Sequence, residues 1–208
     1  MAGALVTRAS PRVLHQDREG SVAIVGQPEA LILLSGGIDS ATALALSLEE
    51  DAAPDCLFID YGQAAAAAEA SASARIAEHY KVPHRMIECR GLQFGSGEIP
   101  GRNAFLLHLA LMAFRGNAGV VTLAIHAGTP YRDCGPEFVS TMRASYDFHT
   151  GGRIGISVPF IANHKPEVLA LASDLKVPVA LTHSCETSDS PCLECLSCRD
   201  REMLVAGT

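Results

Sequence analysis

The sequence lacks a surplus of positive charge. Sixteen Lys and Arg stand against 23 Asp and Glu, a net charge of −7 at pH 7, whereas a protein that coats nucleic acid wants a basic face. A local anion site is still allowed, because backbone amides and a few cations can outweigh diffuse negative charge. Long apolar runs are missing too: none reaches the roughly 20 residues of a bilayer span. Residues 1–29 lack the basic-then-apolar layout of a secretory signal, so the expected location is the cytoplasm, with no membrane partner. There is no tryptophan. There is also no internal repeat, no G-x-x-x-x-G-K-[ST] loop and no G-x-G-x-x-G turn. What is present is ordinary globular composition, 48% hydrophobic and weighted towards alanine. The length suits one α/β domain with an appendage.

Residues 1–29 read as an N-terminal extension in which polar "QDREG" could turn a hairpin. The body, 30–180, opens with "ALILLSGG", a strand suited to burial on both faces. A helix from Asp39 or Ser40 to Glu50 follows, then a strand at 56–62. Five consecutive alanines lead a helix over 64–81. Further strands are expected at 84–89, 120–128 and 156–160, and helices at 103–115, 136–148 and 166–175. This alternation predicts an α/β fold, a doubly wound parallel sheet of about five strands. A four-cysteine segment, 181–208, completes the chain. Ligands of such sheets bind beyond the carboxyl ends of the strands, where "SGGIDS", "DYGQ" and "HAGTPYRD" all fall.

"SGGIDS" has the chemistry of an anion pocket. Gly36 and Gly37 let backbone amides approach a ligand, Ser35 and Ser40 add hydroxyls, and the helix behind presents its positive end. A tight turn with an N-cap is the plainer alternative. The seven cysteines, in a reducing compartment, are not expected to form disulfides. Four of them, Cys185, Cys192, Cys195 and Cys198, are spaced C-x(6)-C-x(2)-C-x(2)-C. Four thiolates in a short loop suit a closed tetrahedral zinc site, with an iron–sulfur cluster as the rival. His183 could replace one of them or be a solvated loop residue.

Other groups have two readings each. Asp60, at a strand end, could hold a ribose or a cation, or form a turn. Arg102 and Asn103 could start a helix, or the guanidinium could clamp an anion. Lys165 opens a helix where the dipole disfavours it, which makes an anionic partner plausible. Arg132 and Asp133 could orient a polar heterocycle. His126 sits at a strand end in the expected cleft. Cys134 reads as a packing residue and His108 as a satisfied core histidine.

The loop resembles that of the PP-loop ATP pyrophosphatases, and within them the chain resembles the 7-cyano-7-deazaguanine synthase family. "SGGIDSAT", "FIDYGQ", "IPGRN", "DCGPEF", the lysine of "KPE" and the cysteines with Arg201 carry the likeness. The resemblance implies ATP bound by Leu34, Ser35, Gly36, Gly37, Ile38, Asp39, Ser40, Asp60 and Tyr61. Ser35, Asp39, Ser40, Arg102 and Lys165 would be catalytic. A 7-deazapurine carboxylate would lie against Gln63, Arg102, Asn103, His126, Arg132 and Asp133. Implied partners and cofactors are ammonia, magnesium with ATP, structural zinc and a second copy in a homodimer, with the 103–115 helix as one possible interface. The family makes a nitrile through an acyl adenylate and an amide.

Three functions follow as expectations: nitrile synthesis, transfer of the activated carboxylate to another amine, or a non-catalytic nucleotide-binding subunit. The departures that keep the second open are Ala64, Ala65 and Ala66, where the family tends to carry arginine and histidine, and His126, where it has asparagine. The chain also has residues 1–29 ahead of the first strand, and Leu193 in place of a glycine.

Overall fold

The computed structural model describes residues 29–50, 52–95 and 97–206. The hairpin expected before residue 29 lies outside them. Five strands form one sheet: β1 (Glu29–Leu33), β2 (Asp55–Asp60), β3 (His84–Glu88), β4 (Gly119–Thr122) and β5 (Ile154–Ser157). Their order is β3-β2-β1-β4-β5, and every pair is parallel. The helices are α1 (Ile38–Glu49), α2 (Ala66–Tyr80), α3 (Arg102–Ala113), α4 (Pro136–Thr150), α5 (Lys165–Asp174) and α6 (Leu196–Ala206).

The continuous apolar run of β1 is explained by burial on both faces. Alternate residues point to opposite sides. Leu31 and Leu33 join the cluster under α3 and α4, around Leu107, Met142 and Tyr146. Ile32 and Leu34 join the cluster under α1, α2 and α5, around Leu44, Ile76 and Leu169. Tyr146 is buried without cost to its hydroxyl, which donates to the Leu107 carbonyl. The chain runs from β1 outwards to β3, then crosses back to lay β4 on the other side of β1. The strand order therefore reverses between β1 and β4, and a crevice opens at their carboxyl ends.

The expected elements differ from the observed ones mainly at their ends. α2 begins at Ala66, with Ala64 and Ala65 in the turn before it. β4 stops at Thr122, short of the expected 128. Its partner β5 ends at Ser157, just before Pro159, which has no N–H to give a ladder. Beyond that point the two segments touch again only at an isolated bridge between His126 and Phe160. The cysteine segment carries α6 in addition to the expected loop. No helix among the described residues is long and apolar enough to cross a membrane.

Candidate active site and metal centre

Gly36 is the conformational key of the β1–α1 turn. Its φ is +86°, and a Cβ there would meet the Glu69 carbonyl oxygen at 2.6 Å and Ser73 N at 3.0 Å. The turn thus fits under the start of α2 only without a side chain. Gly37 is extended and caps α1, whose first turn has no side-chain cap. Its first amides are therefore available to an anion. Ser40 Oγ donates to the Gly37 carbonyl at 3.0 Å and lies 3.1 Å from Ser35 Oγ. Leu34 and Ile38 are buried and offer the loop only their backbone.

A cleft of about 550 Å³ opens over this turn. At one end Lys165 Nζ spans to Asp39, 2.7 and 2.8 Å from its two oxygens. The two residues come from the first turns of different helices, so α5 and α1 are tied together at the mouth of the loop. His126 Nε2 stands 3.9 Å from the same carboxylate. Asp200 of α6 faces this group. Burial pushes its carboxyl above the ordinary range, Asp39 and Glu186 add to the rise, and Lys165 and His126 oppose it.

The other end holds Tyr61, Gln63, Glu69 and Arg102. Gln63 Nε2 donates to Glu69 Oε2 at 2.8 Å and to the Ile59 carbonyl at 3.3 Å. Its Oε1 accepts from Tyr61 N at 2.9 Å. Burial raises the Glu69 carboxyl to about 7, against opposing contributions from Gln63 and Arg102. Neither Glu69 nor Asp200 had a sequence signal of its own. Glu69 ends an alanine run on a helix, and Asp200 lies hidden among charged neighbours next to the cysteines.

Several residues proposed from the sequence lie just outside the cleft lining. Asp60 Oδ1 accepts from Gly62 N and closes the turn after β2. Asp133 Oδ2 accepts from Asn103 N, and Asn103 Nδ2 donates to the Asp133 carbonyl. The pair therefore anchors the start of α3, with Asn103 itself buried and lining the cleft. Arg132 is exposed. Burial is the main reason the Cys134 thiol is pushed up rather than activated. His108 is held by the Ala104 carbonyl and Ser145 Oγ, at 2.9 and 3.0 Å.

The sulfurs of Cys185, Cys192, Cys195 and Cys198 lie within 4.8 Å of one another. Thiolates about 2.3 Å from one tetrahedral ion would sit about 3.8 Å apart. The four therefore fit a single-ion, zinc-type site after only a slight contraction. His183 does not complete this set. Its Nε2 lies 3.0 and 3.1 Å from the Cys185 and Ser188 carbonyls, and its backbone N donates to the Gly36 carbonyl at 2.9 Å. The cysteine segment is thereby stitched to the β1–α1 turn.

The raised Glu69 carboxyl carries a stability prediction. The folded chain holds this proton up to about pH 7, whereas the unfolded chain releases it near 4.5. The resulting penalty is absent below the lower value, grows between the two and is complete above the higher one. Glu69→Gln should therefore stabilise the protein at pH 8 by up to about 3 kcal/mol, with the gain shrinking towards pH 4.5. Denaturant unfolding at pH 5 and pH 8 checks this, and an equal gain at both would refute it.

A family model described as "Queuosine biosynthesis protein QueC" matches residues 29–98 and 91–206. A 7-cyano-7-deazaguanine synthase of Gloeothece citriformis is 31% identical, over 88% of this chain and 94% of that one. One of Thiobacillus denitrificans is 32% identical, over 87% and 96%. Among solved structures, the NH3-dependent NAD synthetase of Campylobacter jejuni aligns with a TM-score of 0.49. That alignment has 16% identity and covers 76% of this chain and 68% of that one.

Proposed function

The chain belongs to the queuosine biosynthesis protein QueC family, and on that premise we propose that it converts 7-carboxy-7-deazaguanine and ammonia to the nitrile at the expense of ATP. The observation that carries this reading is the sharing of one cleft by the Ser35–Ser40 turn, Lys165 and the Glu69–Arg102 end. One part suits a polyphosphate and the other a polar heterocycle.

In the first half-reaction the substrate carboxylate attacks the α-phosphorus of ATP, giving an acyl adenylate and pyrophosphate. Ammonia then displaces AMP and leaves the amide. The amide oxygen attacks the α-phosphorus of a second ATP and expels pyrophosphate, and loss of AMP together with both N–H protons leaves the nitrile. The work of the protein is placement and charge stabilisation. The α1 amides and the Ser35 and Ser40 hydroxyls hold pyrophosphate, and Lys165 turns from Asp39 to the phosphates. Arg102 sits where it can meet the carboxylate of the base. Lys165 holds both Asp39 oxygens in the ligand-free chain; once the lysine turns to the phosphates, Asp39 is free to support the loop or the magnesium that ATP's phosphates would carry. Zinc is the proposed ion of the four cysteines, with a structural role only.

The test is mass spectrometry of the purified protein with ATP, magnesium, ammonium and 7-carboxy-7-deazaguanine. AMP, pyrophosphate and nitrile are expected. AMP with no nitrile would move the reading to another amine acceptor, and no AMP would overturn it. The reading includes a homodimer through the exposed Phe105 and Met112 of α3, which light scattering at the monomer mass would remove.

A further inference from the structure

Glu69 is an acceptor held ready for a ligand. Among the described residues it forms no ion pair, and its side chain receives one hydrogen bond, from Gln63 to Oε2. Oε1 has no protein donor there, although the carboxylate lines the cleft. Gln63 has no N–H left for a ligand: both are spent on the Ile59 carbonyl and Glu69, and its Oε1 already accepts from Tyr61 N. It works instead as a rigid strut that fixes the angle of the carboxylate. Leu57, Ile59 and Leu106 line the same cleft, and Tyr61 packs against the cluster that Leu57 and Ile59 belong to, its ring 6.0 Å from that of Phe94.

The charged groups around it set the sign of the ligand. Arg102 approaches from α3, while Asp60 from β2 and Glu186 from the cysteine segment add negative field. A partly desolvated acceptor with no protein donor on Oε1, and with more acids than cations about it, suits a heterocycle that presents donors. A carboxylate matches two parallel N–H groups, one on the ring and one on an adjacent exocyclic amine.

We propose that Glu69, held by Gln63, is the specificity-determining residue for the base, accepting from the ring N–H and the neighbouring amino group of a 2-aminopyrimidin-4-one edge. This rests on the function proposed above and names which end of the substrate the Glu69 end of the cleft receives. A site built to accept these donors rejects an analogue that lacks one, because the acceptor is left buried and unpaired.

The experiment compares 7-carboxy-7-deazaguanine with its 2-desamino analogue, in the wild-type protein and in Glu69→Gln, at saturating ATP and ammonium. The wild type should favour the amino base in kcat/KM by about 10- to 100-fold. Glu69→Gln should lose that preference by weakening the amino base alone, with KM for ATP unchanged as the control for folding. Below pH 7 the wild-type KM for the base should rise as the carboxyl takes its proton, and the variant should stay flat. Equal use of both bases by the wild type overturns the proposal without any variant. A variant that keeps the preference, or that changes only the KM for ammonium, overturns it as well. A wild type that releases no AMP with either base instead removes the functional reading, and this inference with it.

Discussion

Cys198→Ser should lower bound metal from one ion per chain to below about a tenth and cut turnover at least about 100-fold, while the sheet stays folded. The reason lies in what holds the last segment in place. None of the apolar clusters among the described residues includes a side chain beyond Leu181. The attachments are polar. Arg201 donates to the Thr182 and Val179 carbonyls, Ala68 N donates to Asp189, and His183 N to the Gly36 carbonyl. Such bonds contribute about 1 kcal/mol each, against an ordering cost of about 1–2 kcal/mol for every residue fixed. A metal bound by four thiolates supplies the difference, on the order of 10 kcal/mol or more.

The functional loss follows because this segment forms one wall of the cleft, with Glu186, Ser197 and Asp200, and ties down Gly36. Metal analysis, hydrogen exchange and AMP release test the chain of argument separately. Protection should vanish over 184–206 and persist in β1 and β4. Metal loss with full activity would break the link between the ion and the site. Iron in place of zinc in the wild type would replace the proposed ion and leave the stapling argument standing.

How much of this was legible beforehand depended on whether the chemistry is contiguous. The turn from Ser35 to Ser40 and the four cysteines each carry their meaning within one short stretch, and the structure gathers each stretch into one place. The parallel sheet was legible because strands alternate with helices along the chain, and because β1, exposed only at Glu29, is apolar from Ala30 to Leu33 as burial on both faces requires. Glu69 was not legible, because the sequence around it says only "helix". Its approach to the cleft depends on the first turns of α2 closing on Gly36 to a distance that excludes a Cβ, a tertiary fact. Gln63 and Asp133 looked like ligand groups by residue type. Their hydrogen bonds within the protein could be counted only once the fold was known. The end of β4 was misjudged for a similar reason, since it is set by the proline in its neighbour.

Lys165→Met should reduce kcat for AMP formation about 100- to 1,000-fold, the scale seen when one preorganised donor to a developing charge is removed. The position of the lysine makes sense only if it serves something outside its helix. It stands in the first turn of α5, where the dipole opposes a cation, although His164 and Glu167 already close that end as a capping box. Asp39 offsets the cost in the structure. A triphosphate entering the turn brings more negative charge than one carboxylate and competes for the same ammonium. Asp39, released, then faces His126, already 3.9 Å away. The variant should remain folded, since the pair sits on the cleft wall and joins none of the apolar clusters among the described residues. Its KM for ATP should change far less than kcat, because the interaction strengthens as charge develops on the leaving pyrophosphate. Lys165→Met with Asp39→Asn separates this role from a merely structural one. If the double variant recovers activity, the single loss came from an unpaired Asp39. If it stays as slow as Lys165→Met alone, the ammonium acts on the phosphates.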